Sequence, residues 1–506
     1  MLLKLLFSLL FLTTQEENEK LVYVMTTFRH GARQQSLKGK KRVDQFGEKW
    51  DFPKELTGVG KREHYLLGLR NRIRYIDEKN FLSKKFNVKE LDVYTSLSNR
   101  TIMSVISQLQ GLYPQSLKLG DVLNDIQINN SNPPFNLNYS LINEEKNLLK
   151  NYALPNCMTV IPFQTINEDK GANIYKVSEC GIPDDGKSNG TNESFILTKE
   201  FNEKYSKYFN EYNKKDSSYE YTFDEISDIC SPYIRTYTDG RNMTSLKETG
   251  IDLYEFYIYS LEAIRISKRD SYLAVKDTLF LQGSKLMELF INNMKMKIDM
   301  DINNVPEEDS YYTPKMLIIS GHDHTLCIQE LFIILAFDFD INTFRLPTFS
   351  SQTTFEVTTN NNSKINKDYS DYFISYYFNE DLIFNITVEE FLQKIEPNMW
   401  SSEEIDSLCD ENTKSSDKTN NENTNNDTNI NDDININNNN SNVRYNNIYF
   451  SSKKENKGVK TALIIITSLF GASIIANIVL TSLLLRKNND NNLQHQITSS
   501  QLHNTM

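Results

Sequence analysis

Leu21-Val-Tyr-Val-Met-Thr-Thr-Phe-Arg-His-Gly-Ala-Arg33 opens as an uncharged run of β-branched and aromatic residues and closes with two arginines around a histidine and a glycine. The run predicts a buried strand, and Arg29-His-Gly31 predicts a loop delivered at its C-terminal end. Leu91-Asp-Val-Tyr-Thr-Ser96 predicts a second strand, with a helix starting near Arg100. Lys315 to Ser320 predicts a third, leading into Gly321-His-Asp-His-Thr325 and an apolar helical stretch from Leu326 to Phe337. From Thr57 to Tyr75 the spacing is helical, with Tyr65, Leu66, Leu69, Ile73 and the following Ile76 near one face. Strands that each feed a helix predict an α/β fold, a mostly parallel sheet flanked by helices, with ligands at the strands' C-terminal ends. Thr353–Thr359 and Tyr372–Phe378 predict an antiparallel pair at the sheet edge. The polar, helical span from Ser104 to Lys315 predicts a helical cap insertion within about residues 105–310.

Composition narrows the function. The 506 residues imply ~3 structural units. A hydrophobic fraction of 39%, with 28 Phe and 27 Tyr, supports a large core and excludes global disorder. The balance of 55 Lys plus Arg against 67 Asp plus Glu gives −12, and without a long basic run nucleic acid is a poor partner. Five cysteines without CxxC pairs exclude a disulfide-stapled miniprotein and a zinc ribbon. HxxxH spacing and DxDxDG loops are absent from the sequence, so no metal or other cofactor is expected.

The chemistry-bearing residues sit where an α/β protein places a site. Arg29 and Arg33 bracket His30, and two guanidinium forks can hold phosphate oxygens bidentately. Positive neighbours disfavour charged His30 and keep it a neutral nucleophile in acid. Gly31 lets backbone approach a substrate. His322 adds a donor to a phosphate oxygen, and Asp323 can protonate a leaving alcohol if anionic surroundings raise its pKa.

These motifs resemble the histidine acid phosphatases, a branch of the phosphoglycerate mutase-like superfamily. The family signature RHGxRxP is matched through Arg33 and departs at Gln35, which replaces the proline. The resemblance continues through Leu56-Thr-Gly-Val-Gly60, His64-Tyr65, Leu67-Gly68 and Arg72-Ile-Arg-Tyr75, then Asn99-Arg-Thr-Ile-Met-Ser104, similar to a DRTxMS segment that supplies a third phosphate-binding arginine. It covers roughly residues 20–410. It implies that His30 becomes a phosphohistidine, that Arg29, Arg33, Arg100 and His322 bind the phosphate, and that Asp323 is the proton donor. It also implies a bridge between Cys180 and Cys409, while Cys327 is expected as a buried thiol. His64 is expected to be a packed helix residue, and His324 a hydrogen-bonding or solvated neighbour of the site.

The two ends carry targeting signals. Residues 1–14, one Lys before a short apolar run, predict a cleaved signal peptide. Thr461 to Leu485 holds no charge and at 1.5 Å per residue is long enough to span a bilayer. Residues 411–458, in which Asn fills 13 of the 23 positions from Asn420 to Asn442, predict a stalk too polar to offset its ordering entropy. The flanking lysines do not favour this orientation, but a signal peptide with one stop-transfer helix predicts a type I membrane protein with a cytosolic tail at 486–506. Sequons at Asn138, Asn189, Asn242 and Asn385 would be glycosylated in a secretory compartment.

The expected function is thus hydrolysis of small phosphomonoesters in an acidic vacuole, in a lysosome or at the cell surface. Two alternatives stand beside it: a phytase-like inositol-phosphate phosphatase, which the mixed charge between Lys199 and Lys215 does not favour, and a catalytically inactive binding protein on the same fold. A homodimer is compatible with this reading.

Overall fold

The computed structural model describes residues 19–409 except 38–41, 132, 134–139, 167–173, 175–185, 187–189, 306–313, 361–367 and 406. The chain divides into Met1–Asn425 and Asn426–Met506, and the whole second unit lies outside the described residues. So do the expected signal peptide, stalk, membrane span and tail. Among the described residues no helix is long and apolar enough to cross a membrane.

Along the chain come β1 (Glu19–Arg29), α1 (Gly58–Arg72), β2 (Leu91–Ser96), α2 (Asn99–Leu112) and the short β3 (Gln164–Ile166). Helices α3 (Asn192–Lys204), α4 (Phe223–Thr238), α5 (Leu253–Leu273) and α6 (Lys276–Ile302) follow. Then come β4 (Met316–Gly321), α7 (Asp323–Ala336), β5 (Gln352–Asn360), β6 (Tyr372–Phe378), β7 (Asp381–Thr387) and α8 (Val388–Ile395).

The strands form one sheet in the order β3-β2-β4-β1-β5-β6-β7. The pairings β3–β2, β2–β4 and β4–β1 are parallel, whereas β1–β5, β5–β6 and β6–β7 are antiparallel. The sheet is therefore mixed, which corrects the mostly parallel expectation. A two-residue link from β6 to β7 permits only a hairpin, because a parallel crossover needs a dozen residues or more. Nor do β5 and β6 form the edge, since β7 lies outside them.

Burial follows the two-residue period of a strand. Tyr23 and Met25 of β1 join Leu317 and Ile319 of β4 in a core with Phe290 of α6 and Leu331 of α7. Val24 and Phe28 face the other way, with Ile318, Val93 and Leu109 of α2. The span expected to hold a cap contains a separate aromatic core, in which Phe201, Tyr205, Tyr233, Phe256 and Tyr259 unite α3, α4 and α5. Helix α6, although inside the expected cap limits, packs on the sheet instead.

Helix α1 does not bury the face its leucines suggested. Tyr65, Leu66 and Ile73 are exposed, Leu69 is half-buried and only Ile76, beyond the helix, is fully buried, while within α1 Gly60, His64, Gly68 and Asn71 are buried. The reason is backbone contact with α2. A Cβ on Gly68 would lie 1.9 Å from the Gln108 carbonyl oxygen, and one on Gly111 would lie 2.0 Å from that of Tyr65. Glycine at both positions lets the two backbones touch, so the seam is set by absent side chains. Gly68→Ala should lower stability by about 1–3 kcal/mol, even though alanine in a helix interior is intrinsically favoured over glycine by roughly 1 kcal/mol. A denaturant midpoint that rises would show that the seam yields without cost.

Cys157, Cys230 and Cys327 are buried free thiols, whereas Cys409 is disulfide-bonded. Cys180, its expected partner, lies outside the described residues, as do Asn138 and Asn189. Asn242 and Asn385 are exposed, the latter on β7.

Candidate active site

The two motifs meet because β1 and β4 are neighbours, with Arg29 opposite Gly321. The ladder continues one residue further, His30 N–H donating to the Gly321 carbonyl at 3.0 Å. The His30 and His322 rings then stand edge to face, centroids 5.6 Å apart.

The loop after β1 is held from three sides. Gly31 N–H donates to Ser104 Oγ on α2 (3.1 Å) and Ala32 N–H to Glu63 on α1 (2.9 Å), whose same oxygen accepts from Ser350 before β5 (3.0 Å). A Cβ at Gly31 would come 2.5 Å from the Gly60 carbonyl oxygen, so only glycine lets the loop rest on the start of α1.

His30 is buried, and its Nδ1 lies 2.8 Å from the Gly31 carbonyl. A carbonyl only accepts, so Nδ1 carries the proton and Nε2 keeps its lone pair. Burial, then Arg29, His322, Arg33 and Arg100, hold its pKa well below the usual histidine range. The ring stays neutral in acid.

Three arginines surround it. Arg29 donates to the Pro347 carbonyl (2.7 Å) and lies 4.3 Å over the ring of Phe349. Arg33 donates to the Gln34 carbonyl and to Ser36 Oγ, both at 3.0 Å. Burial, then Arg235, Arg100 and Arg29, bring its pKa down to about 9. Arg100 lies with Nη2 3.2 Å from His322 Nδ1. Guanidinium only donates, so Nδ1 is the acceptor and His322 Nε2–H is left to donate to Ser96 Oγ at 2.8 Å. His322 thus turns a lone pair, not the expected donor, toward Arg100. It gains a donor there only as imidazolium.

Asp323 is the first residue of α7 and ion-pairs with Lys268 (3.5 Å) and Arg29 (3.8 Å). Burial pushes its pKa up, but Lys268, Arg29, His324 and His30 outweigh it and hold the carboxyl well below the usual range. This corrects the expected anionic surroundings: they are cationic, and only a bound anion could reverse the direction.

The structure thus brings His30, Arg29, Arg33, Arg100, His322 and Asp323 to one end of the sheet. His64 stays out of the site, packed against Phe28 (4.9 Å), with burial foremost in lowering its pKa to about 4. His324 stacks on His322 at 5.2 Å. Two cations were missed, Arg235 on α4 and Lys268 on α5, because no motif marks a single basic residue on a cap helix. Among the described residues no group of His, Cys, Asp and Glu could hold a metal ion.

A family model described as Histidine phosphatase superfamily (branch 2) matches residues 13–379. A candidate acid phosphatase of Caenorhabditis elegans is 35% identical over 105 residues, 20% of this chain and 23% of that protein. The lysosomal acid phosphatase of Xenopus laevis is 42% identical over 60 residues, 12% of this chain and 13% of its own. The chain thus spans about a quarter or less of the length of these curated relatives. The phytase of Citrobacter braakii aligns at 14% identity with a TM-score of 0.47, over 77% of this chain and 99% of its own. For Hafnia alvei phytase in complex with tartrate the values are 12%, 0.45, 78% and 98%.

Proposed function

As the chain belongs to the histidine phosphatase superfamily (branch 2), we propose that it is an acid phosphatase that hydrolyses phosphate monoesters through a phosphohistidine on His30. The observation that carries this is the fixed tautomer of a buried, neutral His30 among three arginines. In acid the ester arrives as its monoanion. Arg29, Arg33, Arg100 and His322, the last as its imidazolium, hold the phosphoryl oxygens, and the phosphate's remaining proton passes to Asp323. His30 Nε2 then attacks phosphorus, the ester P–O bond breaks, and Asp323 protonates the departing oxygen to give the alcohol. Water then attacks phosphorus, the P–N bond breaks, and a proton of the water passes to Asp323, freeing inorganic phosphate and neutral His30.

The same inventory sets the pH dependence. A phosphomonoester loses its second proton near pH ~6, so hydrolysis should be fastest in acid and fall above that point. Lys268 is the foremost cation depressing the Asp323 pKa. Lys268→Met should therefore let Asp323 keep its proton longer and move the alkaline limb of kcat to higher pH. Alkyl phosphate hydrolysis by the full chain, with chelator, across acidic to neutral pH tests both statements, since an alkoxide leaving group needs the proton of Asp323. A limb that stays put would remove Lys268 from the scheme, and no hydrolysis by folded protein would favour the inactive binding protein.

Inositol hexakisphosphate belongs in the same assay. Lys199, Lys204 and Lys215 of the cap are ion-paired with Glu203, Glu255 and Glu225, which favours simple monoesters over a polyphosphorylated substrate.

We also propose a type I membrane topology in an acidic, lysosome-like compartment, with a Cys180–Cys409 bridge and glycans on Asn138, Asn189, Asn242 and Asn385. The proton that Asp323 must acquire supports the acidic address, as does the name of the Xenopus laevis relative. Endoglycosidase treatment of the cellular protein should sharpen and lower its gel band; an unchanged band would contradict lumenal placement.

A further inference from the structure

Gln35 stands where the family signature has proline, and the structure gives its side chain three bonds that proline could not make. Its Nε2 donates to the Pro232 carbonyl (2.5 Å) and to Thr236 Oγ1 (2.8 Å), both on α4. Its Oε1 accepts from Arg235 Nε, on the same helix, at 2.8 Å. The contact is buried: Gln35 is 2% exposed and Thr236 fully covered. Thr236 in turn donates to Asp44 (3.0 Å), which also accepts from the Trp50 indole (2.8 Å). The loop that carries Arg33 is thereby fastened to the cap.

The fastening also aims a charge. Arg235 is half-buried, its Nη1 donates to Ser231 Oγ (3.0 Å), and among the described residues no carboxylate pairs with it. Buried cations are ordinarily paired, so a half-buried one without a carboxylate, beside a cluster of further arginines, marks a place for an anion. Burial, then Arg29, lowers its pKa to about 10, while Asp323 acts the other way. In turn Arg235 is the foremost charge depressing Arg33. Its 2.8 Å bond to Gln35, two residues beyond Arg33, places the guanidinium against the loop that carries the phosphate-binding residues. Gln35 is suited to this because a neutral amide orients Nε without cancelling the charge, as a carboxylate would.

We propose that Arg235 is a further substrate-binding residue, a cap-borne fourth arginine beside Arg29, Arg33 and Arg100, and that Gln35 is the positioning residue that holds it over the phosphate. The identity of the anion rests on the phosphatase assignment, but the contact can be measured without turnover. The test is calorimetric binding of inorganic phosphate to the full chain in mildly acidic buffer. It compares wild type with Arg235→Met, Gln35→Glu and the double variant, and KM and kcat for an aryl phosphate are measured alongside.

Loss of one charge-assisted contact should weaken phosphate about ten-fold or more in Arg235→Met. Gln35→Glu should do likewise although it keeps the acceptor for Arg235, because the new carboxylate neutralises the guanidinium. The double variant should be no weaker than Arg235→Met alone, since Gln35 acts through Arg235. The losses should appear in KM more than in kcat. A purely structural tie would instead move the melting temperature and leave phosphate affinity alone. Folded Arg235→Met that binds phosphate within about two-fold of wild type overturns the proposal, and Gln35→Glu with unchanged affinity overturns the role of Gln35. A wild type that binds phosphate yet hydrolyses nothing sinks the phosphatase assignment while leaving this inference to the binding data; one that binds none sinks both.

Discussion

His30→Ala should lower kcat on the order of 10⁴-fold or more while leaving phosphate binding nearly intact. The two halves of this expectation have separate origins. On the proposed mechanism, turnover depends on Nε2, the ring nitrogen left with a lone pair once Nδ1 donates to the Gly31 carbonyl. Binding depends on guanidinium groups positioned without help from the imidazole. Arg29 is held by the Pro347 carbonyl and the Phe349 ring, Arg33 by the Gln34 carbonyl and Ser36, and Arg100 lies against His322. Because His30 is neutral, its removal takes no charge from the pocket. A second readout separates a nucleophile from a general base. Wild type quenched in alkali after mixing with labelled aryl phosphate should retain label on the protein, since a P–N bond survives base and is lost in acid, and His30→Ala should retain none. Residual activity within about ten-fold of wild type would mean that another group attacks phosphorus.

What could be foreseen from the sequence follows a physical line. Central strands β1 and β4 are buried on both faces and carry no charge between Leu21 and Phe28 or between Met316 and Ser320, so these uncharged, largely apolar runs announce themselves. The six candidate residues could be picked out because they lie at or within a few residues of the C-terminal ends of β1, β2 and β4. Strand β7 was missed because it lies at the edge and mixes exposed Asp381 and Asn385 with Phe384. Helix α1 was oriented wrongly because hydrophobic spacing registers side chains, and its seam with α2 is made of glycine backbone. The surroundings of Asp323 were inverted because Lys268 reaches it from α5, more than 50 residues earlier in the chain, and local sequence holds no trace of that approach. Gln35 was visible as a departure from a motif, but its meaning needed α4, some 200 residues away.

Asp323→Asn should sort substrates by their leaving groups. An alkyl phosphate must expel a strongly basic alkoxide unless a proton arrives as the P–O bond breaks, so its hydrolysis should fall about 10²–10⁴-fold. A nitrophenolate departs without that proton, and phosphorylation of His30 should continue with it. The second step then fails, because the water that attacks phosphorus of the phosphohistidine has lost the carboxylate that accepts its proton. Phosphohistidine should accumulate, seen as a burst of nitrophenol equal to the enzyme concentration followed by a slow steady rate. The substitution also removes the negative charge that Lys268 and Arg29 now share. Those cations become available to the substrate, so KM should fall together with kcat. Rapid-quench measurement of both substrates decides the matter. Equal losses for alkyl and aryl esters, without a burst, would mean that Asp323 only arranges Arg29 and Lys268, and that another group donates the proton.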